Sequence, residues 1–251
     1  MTRKQKIITG AVLSPFIILT IAIVVVWMVN PWLVKEGWIY MTNGYGVNSR
    51  NVDTDGIDVS HYNGRINWDM VAENKNIKFV YVKATQGVGC KDRLFRRNMR
   101  EAKDAGLEVG AYHFFTKKKS GEQQFEFFRK TVGHKYIGTM IPMVDVEPHG
   151  VDGMKASDLR RELKVFCDLI TKEYGRKPVI YTNCKIFNDR LNGEFDDYYI
   201  WICRYGMKPN LKRRSKYNIW QFSEHGRVDG IRGYTDLNTF TEGMSIEKLK
   251  S

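Results

Sequence analysis

From Asp55 onward, two apolar patterns alternate along the chain. Short runs rich in β-branched and aromatic residues read as strands: "GIDVS", "KFVYVKAT", "EVGAYHFF", "TMIPMVDVE", "PVIYTN", "YIWICRY", "NIWQFS" and a last one near "GYTDLNTF". Between them the apolar positions recur at helical spacing. The stretch Asp92 to Ala105 carries Leu94, Phe95, Met99, Ala102 and Ala105, then Gly106 as a stop. Ser120 is placed to cap a helix bearing Phe125, Phe128 and Val132. Ser157 is placed to cap another, with Leu159, Leu163, Phe166 and Ile170 on one stripe and Gly175 at its end. Strands alternating with helices predict parallel β-α units. After the sixth run the helical pattern stops, and the last connection, "EHGRVDGIRG", is turn-like. The expected fold is therefore α/β, an irregular β/α barrel whose final third has lost its helices. No internal repeat or low-complexity tract interrupts it.

The first 54 residues follow another rule. "MTRKQK" is basic, and Ile7 to Val29 contains no charged residue. Those 23 residues suffice for a bilayer, which needs roughly 20. A cleaved signal peptide would have a shorter apolar core and a small-residue cleavage site. Here Trp27, Asn30, Pro31 and Trp32 end the run, and tryptophan suits the headgroup layer. The predicted organisation is a cytoplasmic basic stub and one transmembrane signal anchor over residues 1–29, a juxtamembrane linker over 30–54, and a barrel over 55–251. Arg3, Lys4 and Lys6 would stay in the cytoplasm and the barrel would lie on the extracytoplasmic side, periplasmic or facing the wall.

Composition sharpens this little. The 251 residues are 43% hydrophobic and 13% aromatic, enough for a packed core. A net charge of +12 favours a polyanionic neighbour, or serves only solubility. No zinc-finger, P-loop or RNA-binding pattern appears, which argues against nucleic acid. Cys90, Cys167, Cys184 and Cys203 show no C-x-x-C spacing. They allow three complete disulfide pairings, or four free buried thiols.

Candidate chemistry gathers in "IPMVDVEPHG". Asp145 and Glu147 close an apolar run, and strand alternation puts both on one face. Their Cα atoms would be roughly 6–7 Å apart at about 3.3 Å rise per residue. Both then approach a ligand from one side, whereas the usual glycosidase pair flanks its bond. One acid would protonate a leaving oxygen while the other steadies a group that the substrate supplies. Proximity of like charges pushes one pKa upward. The longer Glu147, before Pro148, suits the proton donor, and Asp145 the ionised partner. In a barrel, Asp58 at the end of the first run and Asp236 in the last would share the same mouth.

The blocks "GIDVSHYNGRINW", "FVYVKATQG", "AGLEVGAYHFF", "MVDVEP", "PVIYT", "WICRYG" and "IWQFSEHGRVDGIRGYTDLNTF" occur here in an order that resembles the glycoside hydrolase family 25 lysozymes. The resemblance spans about Asp55 to Phe240. It implies a (β/α)5(β)3 barrel and hydrolysis of the β-1,4 bond between N-acetylmuramic acid and N-acetylglucosamine in peptidoglycan. It places the family's acids on Asp58, Asp145, Glu147 and Asp236, with Glu147 as general acid. It implies a substrate-assisted route in which the 2-acetamido oxygen attacks the anomeric carbon and Asp145 orients that group. One departure stands out: the family often has Glu where this chain has Gln86.

Aromatic residues near strand ends suit a sugar cleft. Tyr112, Trp220 and Gln221 are the first candidates. Tyr62 and Tyr181 are equally readable as cleft or core, and Trp201 as core. His113 is placed either to bond the acids or to be a satisfied structural histidine. Asn238 either orients Asp236 or stabilises a turn. No H-E-x-x-H is present, so no metal and no cofactor is expected. The basic runs "TKKKS" and "KPNLKRRSK" read as solvated loops or as attractors of anionic wall glycan or lipid headgroups. The expected partners are peptidoglycan strands and, through the anchor, the membrane. A non-catalytic glycan-binding scaffold on the same barrel is the alternative. A peptidase or amidase lacks a zinc signature and a Cys-His arrangement.

Overall fold

A computed structural model describes residues 53–212 and 215–250, together with 20–22, 24, 25 and 28, which are helical. Most of the expected transmembrane segment and nearly all of the linker lie outside the described residues. Among those described, no helix is long and apolar enough to cross a membrane.

All eight sequence runs form strands. In chain order they are β1 Gly56–Val59 and β2 Phe79–Gln86, then, after a two-residue β3 (Cys90–Lys91), β4 Glu108–Phe114, β5 Met143–Val146, β6 Val179–Asn183, β7 Ile200–Cys203, β8 Ile219–Gly226 and β9 Thr235–Phe240. Neighbours follow the order β1-β9-β8-β7-β6-β5-β4-β2-β3, and an additional β1–β2 pairing closes eight of them into a barrel. From β1 through β2 and β4 to β8 the pairings are parallel. Only β9 runs against both its neighbours, β8 and β1. β3 hangs on the end of β2 as a short antiparallel flap.

The helices pack outside. They are α1 Trp68–Glu73, α2 Phe95–Asp104, α3 Gly121–Val132, α4 Pro148–Val151, α5 Ala156–Tyr174 and a short α6 Cys184–Ile186. Ser120 caps α3 as expected, its hydroxyl accepting from Gln123 N while Gln123 returns a bond to Ser120 N. Gly175 ends α5 in the left-handed conformation, φ 78°. Ser157 does not cap α5: the helix starts at Ala156 with Lys155 in the capping position, and Ser157 lies inside it. The sequence pattern missed α1 and α4, which are six and four residues long. Neither is long enough to show a helical period. Between β7 and β9 the described residues form no α-helix.

Strand alternation sorts the core into two layers. Val80, Val82, Val144, Val146, Ile180 and Ile202 face outward and pack with Phe125, Phe128, Leu163 and Phe166 of α3 and α5. Phe79, Tyr81, Met143, Tyr181, Trp201 and Ile219 fill the barrel. Glycine makes room for these rings. A Cβ on Gly56 or Gly110 would sit 2.5 Å from the ring of Phe79 or Tyr81. At the strands' N-terminal end the interior is closed by Met140, Ile141 and Leu249, with Ile141 N donating to Leu249 O. The opposite end is the one left for chemistry.

Candidate active site

Parallel pairing sends the C-terminal ends of β1 and β5 to the same face. Asp58 is the third residue of β1, Asp145 the third of β5, and Glu147 lies one residue past β5. Glu147 keeps extended backbone, φ −115° and ψ 159°, so the alternation persists and its side chain shares Asp145's face. Because β9 runs the other way, its beginning arrives at this face. Asp236, its second residue, stands directly opposite Asp58 in the β1–β9 register. The phenol of Tyr112 is held well above its usual pKa by burial and then by Asp145, Asp58, Asp236 and Glu147 together. One mouth therefore collects all four carboxylates.

Burial dominates their electrostatics. Asp58 is pushed up to about 6 by burial, opposed by hydrogen bonds from Asn238 and Gln221. Asp145 is held well above the carboxylate range by burial and then by the charge of Glu147, with Lys83 opposing. Glu147 is raised by burial and then by Asp58, again with Lys83 opposing. Asp236 is held well above its ordinary value by burial and by Asp58. Four acids in so small a space cannot all ionise, and protons are shared among them.

A polar network fixes Asp58. Its Oδ2 accepts from Asn238 Nδ2 at 2.9 Å and Gln221 Nε2 at 3.0 Å. Gln221 Oε1 accepts from the hydroxyls of Tyr181 and Tyr205, both at 2.8 Å. Asn238 Oδ1 accepts from Trp201 Nε1 at 3.0 Å. Asn238 thus serves Asp58, where the sequence offers Asp236 or a turn as its partner. Asp145 differs: it is 6% exposed, and its Oδ1 has no hydrogen-bond partner among the described residues. A buried carboxyl oxygen left unpaired costs free energy, and a hydrogen bond from a bound ligand would recover that cost.

The other sequence candidates divide. Tyr112, Tyr181 and Gln221 line the interior beneath the acids. Tyr62 follows β1 on a 3-10 turn and is 84% exposed, available to stack on a ligand at the rim. The neighbouring His61 anchors that turn on Asp92, with Nδ1 to Oδ2 at 2.7 Å. Trp201 is core, fully buried inside the barrel.

Strand alternation corrects Trp220 as a cleft residue and decides His113 in favour of its structural reading. Trp220 and Gln221 are adjacent on β8 and cannot face the same way. Gln221 points in, whereas Trp220 points out, giving its Nε1 hydrogen to Arg204 O at 2.7 Å and packing edge-on to Phe222. His113 likewise lies opposite Tyr112 and leaves the barrel. Its ring stacks on Phe166 with centroids 4.9 Å apart, bonding Thr85 Oγ1 at 2.7 Å and Gln124 Oε1 at 3.2 Å rather than any acid. Burial pushes its pKa down to about 3, so it is a neutral spacer between sheet and helices.

Lys83 was missed by the sequence reading. It follows Phe79 and Tyr81 at alternate positions of β2 and so points inward, a signal that was present in "FVYVKATQ". Its ammonium donates to Gln86 Oε1 at 2.8 Å and lies 4.7 Å from the Phe114 ring centre. Tyr205, just past β7, was missed as well. All four cysteines are free, Cys167 buried and Cys90 exposed.

Residues 57–231 match the family model for glycosyl hydrolases family 25, a stretch holding Asp58, Asp145 and Glu147 and ending before Asp236. Lysozyme M1 of Streptomyces globisporus is 32% identical over 197 residues, covering 74% of this chain and 67% of that protein. The structure of a family 25 glycosyl hydrolase from Bacillus anthracis superposes with a TM-score of 0.69 at 32% identity, over 77% of this chain and 90% of that one. A bacterial lysozyme from Streptomyces coelicolor gives 0.69 at 30% identity, over 79% and 95%. With sequence, closed barrel and solved structures agreeing across the same stretch, this chain belongs to glycosyl hydrolase family 25.

Proposed function

We propose that this chain is a muramidase that hydrolyses the β-1,4 bond between N-acetylmuramic acid and N-acetylglucosamine in peptidoglycan, with Glu147 as general acid. The observation that carries this reading is the unpartnered, buried Oδ1 of Asp145 beside the partly exposed Glu147. A substrate acetamido N–H is a donor of the right kind for that oxygen. Once it binds, the bond favours ionised Asp145 and drives the shared proton onto Glu147.

The chemistry then follows in two steps. The acetamido carbonyl oxygen attacks the anomeric carbon as the glycosidic C–O bond breaks, and the leaving oxygen takes the proton from Glu147. Asp145 stabilises the positive charge that develops on the acetamido group. Water next attacks the same carbon, Glu147 takes its proton, and the ring opens to restore the acetamide. Both displacements occur at one carbon, so configuration is retained. Asp58 and Asp236 hold the mouth's charge, and Tyr62 offers a sugar-stacking surface.

Mass spectrometry of digested, defined peptidoglycan tests this. The wild type should release products with reducing-end N-acetylmuramic acid, and Glu147→Gln should not. Binding to insoluble wall with no new reducing ends would favour a scaffold, and free peptides would point to an amidase.

We propose further that residues 7–29 tether the enzyme, leaving the barrel outside the cytoplasm and within reach of the wall nearest its own membrane. The support is the run of 23 uncharged residues after a basic start. Carbonate-resistant membrane fractionation, with protease digestion of the barrel in spheroplasts, tests the tether and its orientation.

A further inference from the structure

A second cavity opens beside the carboxylates. It has a volume of about 520 Å³ and lies between the β2–β3 turn, the β4–α3 loop and the start of α4. Gln86 and Phe114 form the wall nearest the acids: Phe114 is the register partner of both Gln86 and Asp145. His149, two residues after Glu147, packs against Phe114 with ring centres 6.4 Å apart. The cavity therefore adjoins the mouth, one strand over from Asp145.

Its charge is opposite to that of the mouth. Lys117, Lys118, Lys119 and His149 line it, and no carboxylate does. Lys117 is partly committed, its ammonium donating to Asp152 O. Lys118 and Lys119 are exposed and join no ion pair among the described residues. Val88 and Phe114 add apolar surface.

The lysines sit on a braced loop. Gln124, fully buried on α3, accepts from Thr116 N at 2.8 Å and donates to Thr116 O at 2.9 Å and Lys119 O at 3.0 Å. His113 bonds the same amide. The loop also touches its neighbours closely. A Cβ on Gly87 would lie 2.9 Å from Thr116 Oγ1, and one on Gly150 would lie 2.2 Å from Phe115 O. A buried amide holding both ends of a three-lysine run is more than an unspecific solvated loop needs. Pre-ordering of this kind lowers the cost of binding.

In an intact strand the glycan backbone is uncharged, because each lactyl carboxyl is tied up in the amide to its stem peptide. The acidic part of a peptidoglycan strand is the stem peptide, joined through the lactyl ether of each N-acetylmuramic acid, with free carboxylates and apolar alanyl methyls. From the cavity's place, its cations and its apolar wall, we infer that it is a subsite for the acidic stem peptide of the strand being cut. This rests on the muramidase reading of the adjoining mouth. Lys118 and Lys119 meet the peptide carboxylates, and Val88 and Phe114 meet its methyl groups.

The test compares two glycans from one wall preparation, cleared of phosphate polymers: one with stem peptides, one stripped by an amidase. For the wild type, kcat/KM should be higher on the peptide-bearing glycan. In Lys118→Gln/Lys119→Gln that ratio should fall by about fivefold, the scale of two exposed ion pairs, and further in Lys118→Glu/Lys119→Glu. Independently, a soluble stem tetrapeptide should slow alkylation of Cys90, which lines the cavity, in the wild type but not in the double variants, followed by mass spectrometry of the Cys90 peptide. An unchanged ratio, with no protection of Cys90, overturns the subsite. If lysine dependence appears only on walls that keep their phosphate polymers, the cavity serves that polymer and the peptide assignment is wrong. If the wild type cuts neither glycan, the muramidase reading falls, and Cys90 protection decides the subsite alone.

Discussion

Asp58 on β1 and Asp236 on β9 stand directly opposite each other in an antiparallel register, one buried and the other half-buried, at the mouth of the barrel. Like charges facing each other across a strand pair oppose folding. The fold keeps them because burial raises both pKa values; the charge of Asp58 adds to the rise at Asp236, while a hydrogen bond between the two opposes it at Asp58, so the pair holds a proton where isolated aspartates would have lost theirs.

A raised carboxylate pKa has a definite sign in stability. The folded state binds the proton more tightly than the unfolded chain. The stabilising contribution is complete below the unfolded value of 3.8 and is lost as pH rises through the folded value, about 6 for Asp58. Asp236→Asn should therefore match the wild type near pH 4 and melt at a higher temperature than the wild type above pH 7. Melting curves across that range check it, with activity falling in the same variant.

Glu147→Gln should lower kcat by about 10²–10⁴ with KM changed little, since the lost proton matters only in the transition state. Asp145→Asn should also act mainly on kcat. Initial rates on purified walls, beside unchanged circular dichroism, separate this from misfolding.

The proposed mechanism requires protonated Glu147, whose pKa is raised by burial and by Asp58 while Lys83 holds it down. Rates should fall on the alkaline side, at a pH above the ordinary glutamate value. Lys83→Met should move that limb to higher pH by removing the opposing cation. Gln86→Glu should move it the same way, by placing a carboxylate where Lys83 now meets a neutral amide. pH profiles of kcat for the three proteins decide; a downward shift in either variant contradicts this electrostatic assignment.

Gln124→Leu removes the amide that braces the lysine loop and leaves the N–H of Thr116 without its acceptor. A destabilisation of about 1–3 kcal/mol is expected from the orphaned groups, read from the urea midpoint. Proteolysis should map the new cleavage to residues 116–119.

Local pattern carried much of this protein. The eight apolar runs, the α3 cap at Ser120 and the stop at Gly175 were legible because each depends on neighbours within a few residues. Asp145 and Glu147 were legible as a same-face pair because alternation continues through the strand end. Alternation should also have separated Trp220 from Gln221 and shown Lys83 pointing inward, and in those places the signal was present but unused. Other features exist only in three dimensions. That β9 runs backwards, bringing Asp236 against Asp58, is set by pairing partners 178 residues apart in the chain. The sense of His113, bound to Gln124 and not to acids, depends on which layer packs behind β4. Whether a carboxylate oxygen is left unpaired, as in Asp145, depends on every donor that tertiary packing brings near or keeps away. Sequence by itself determined which residues can be buried and in what period; burial and long-range pairing decided which charges had to share one small, poorly solvated mouth.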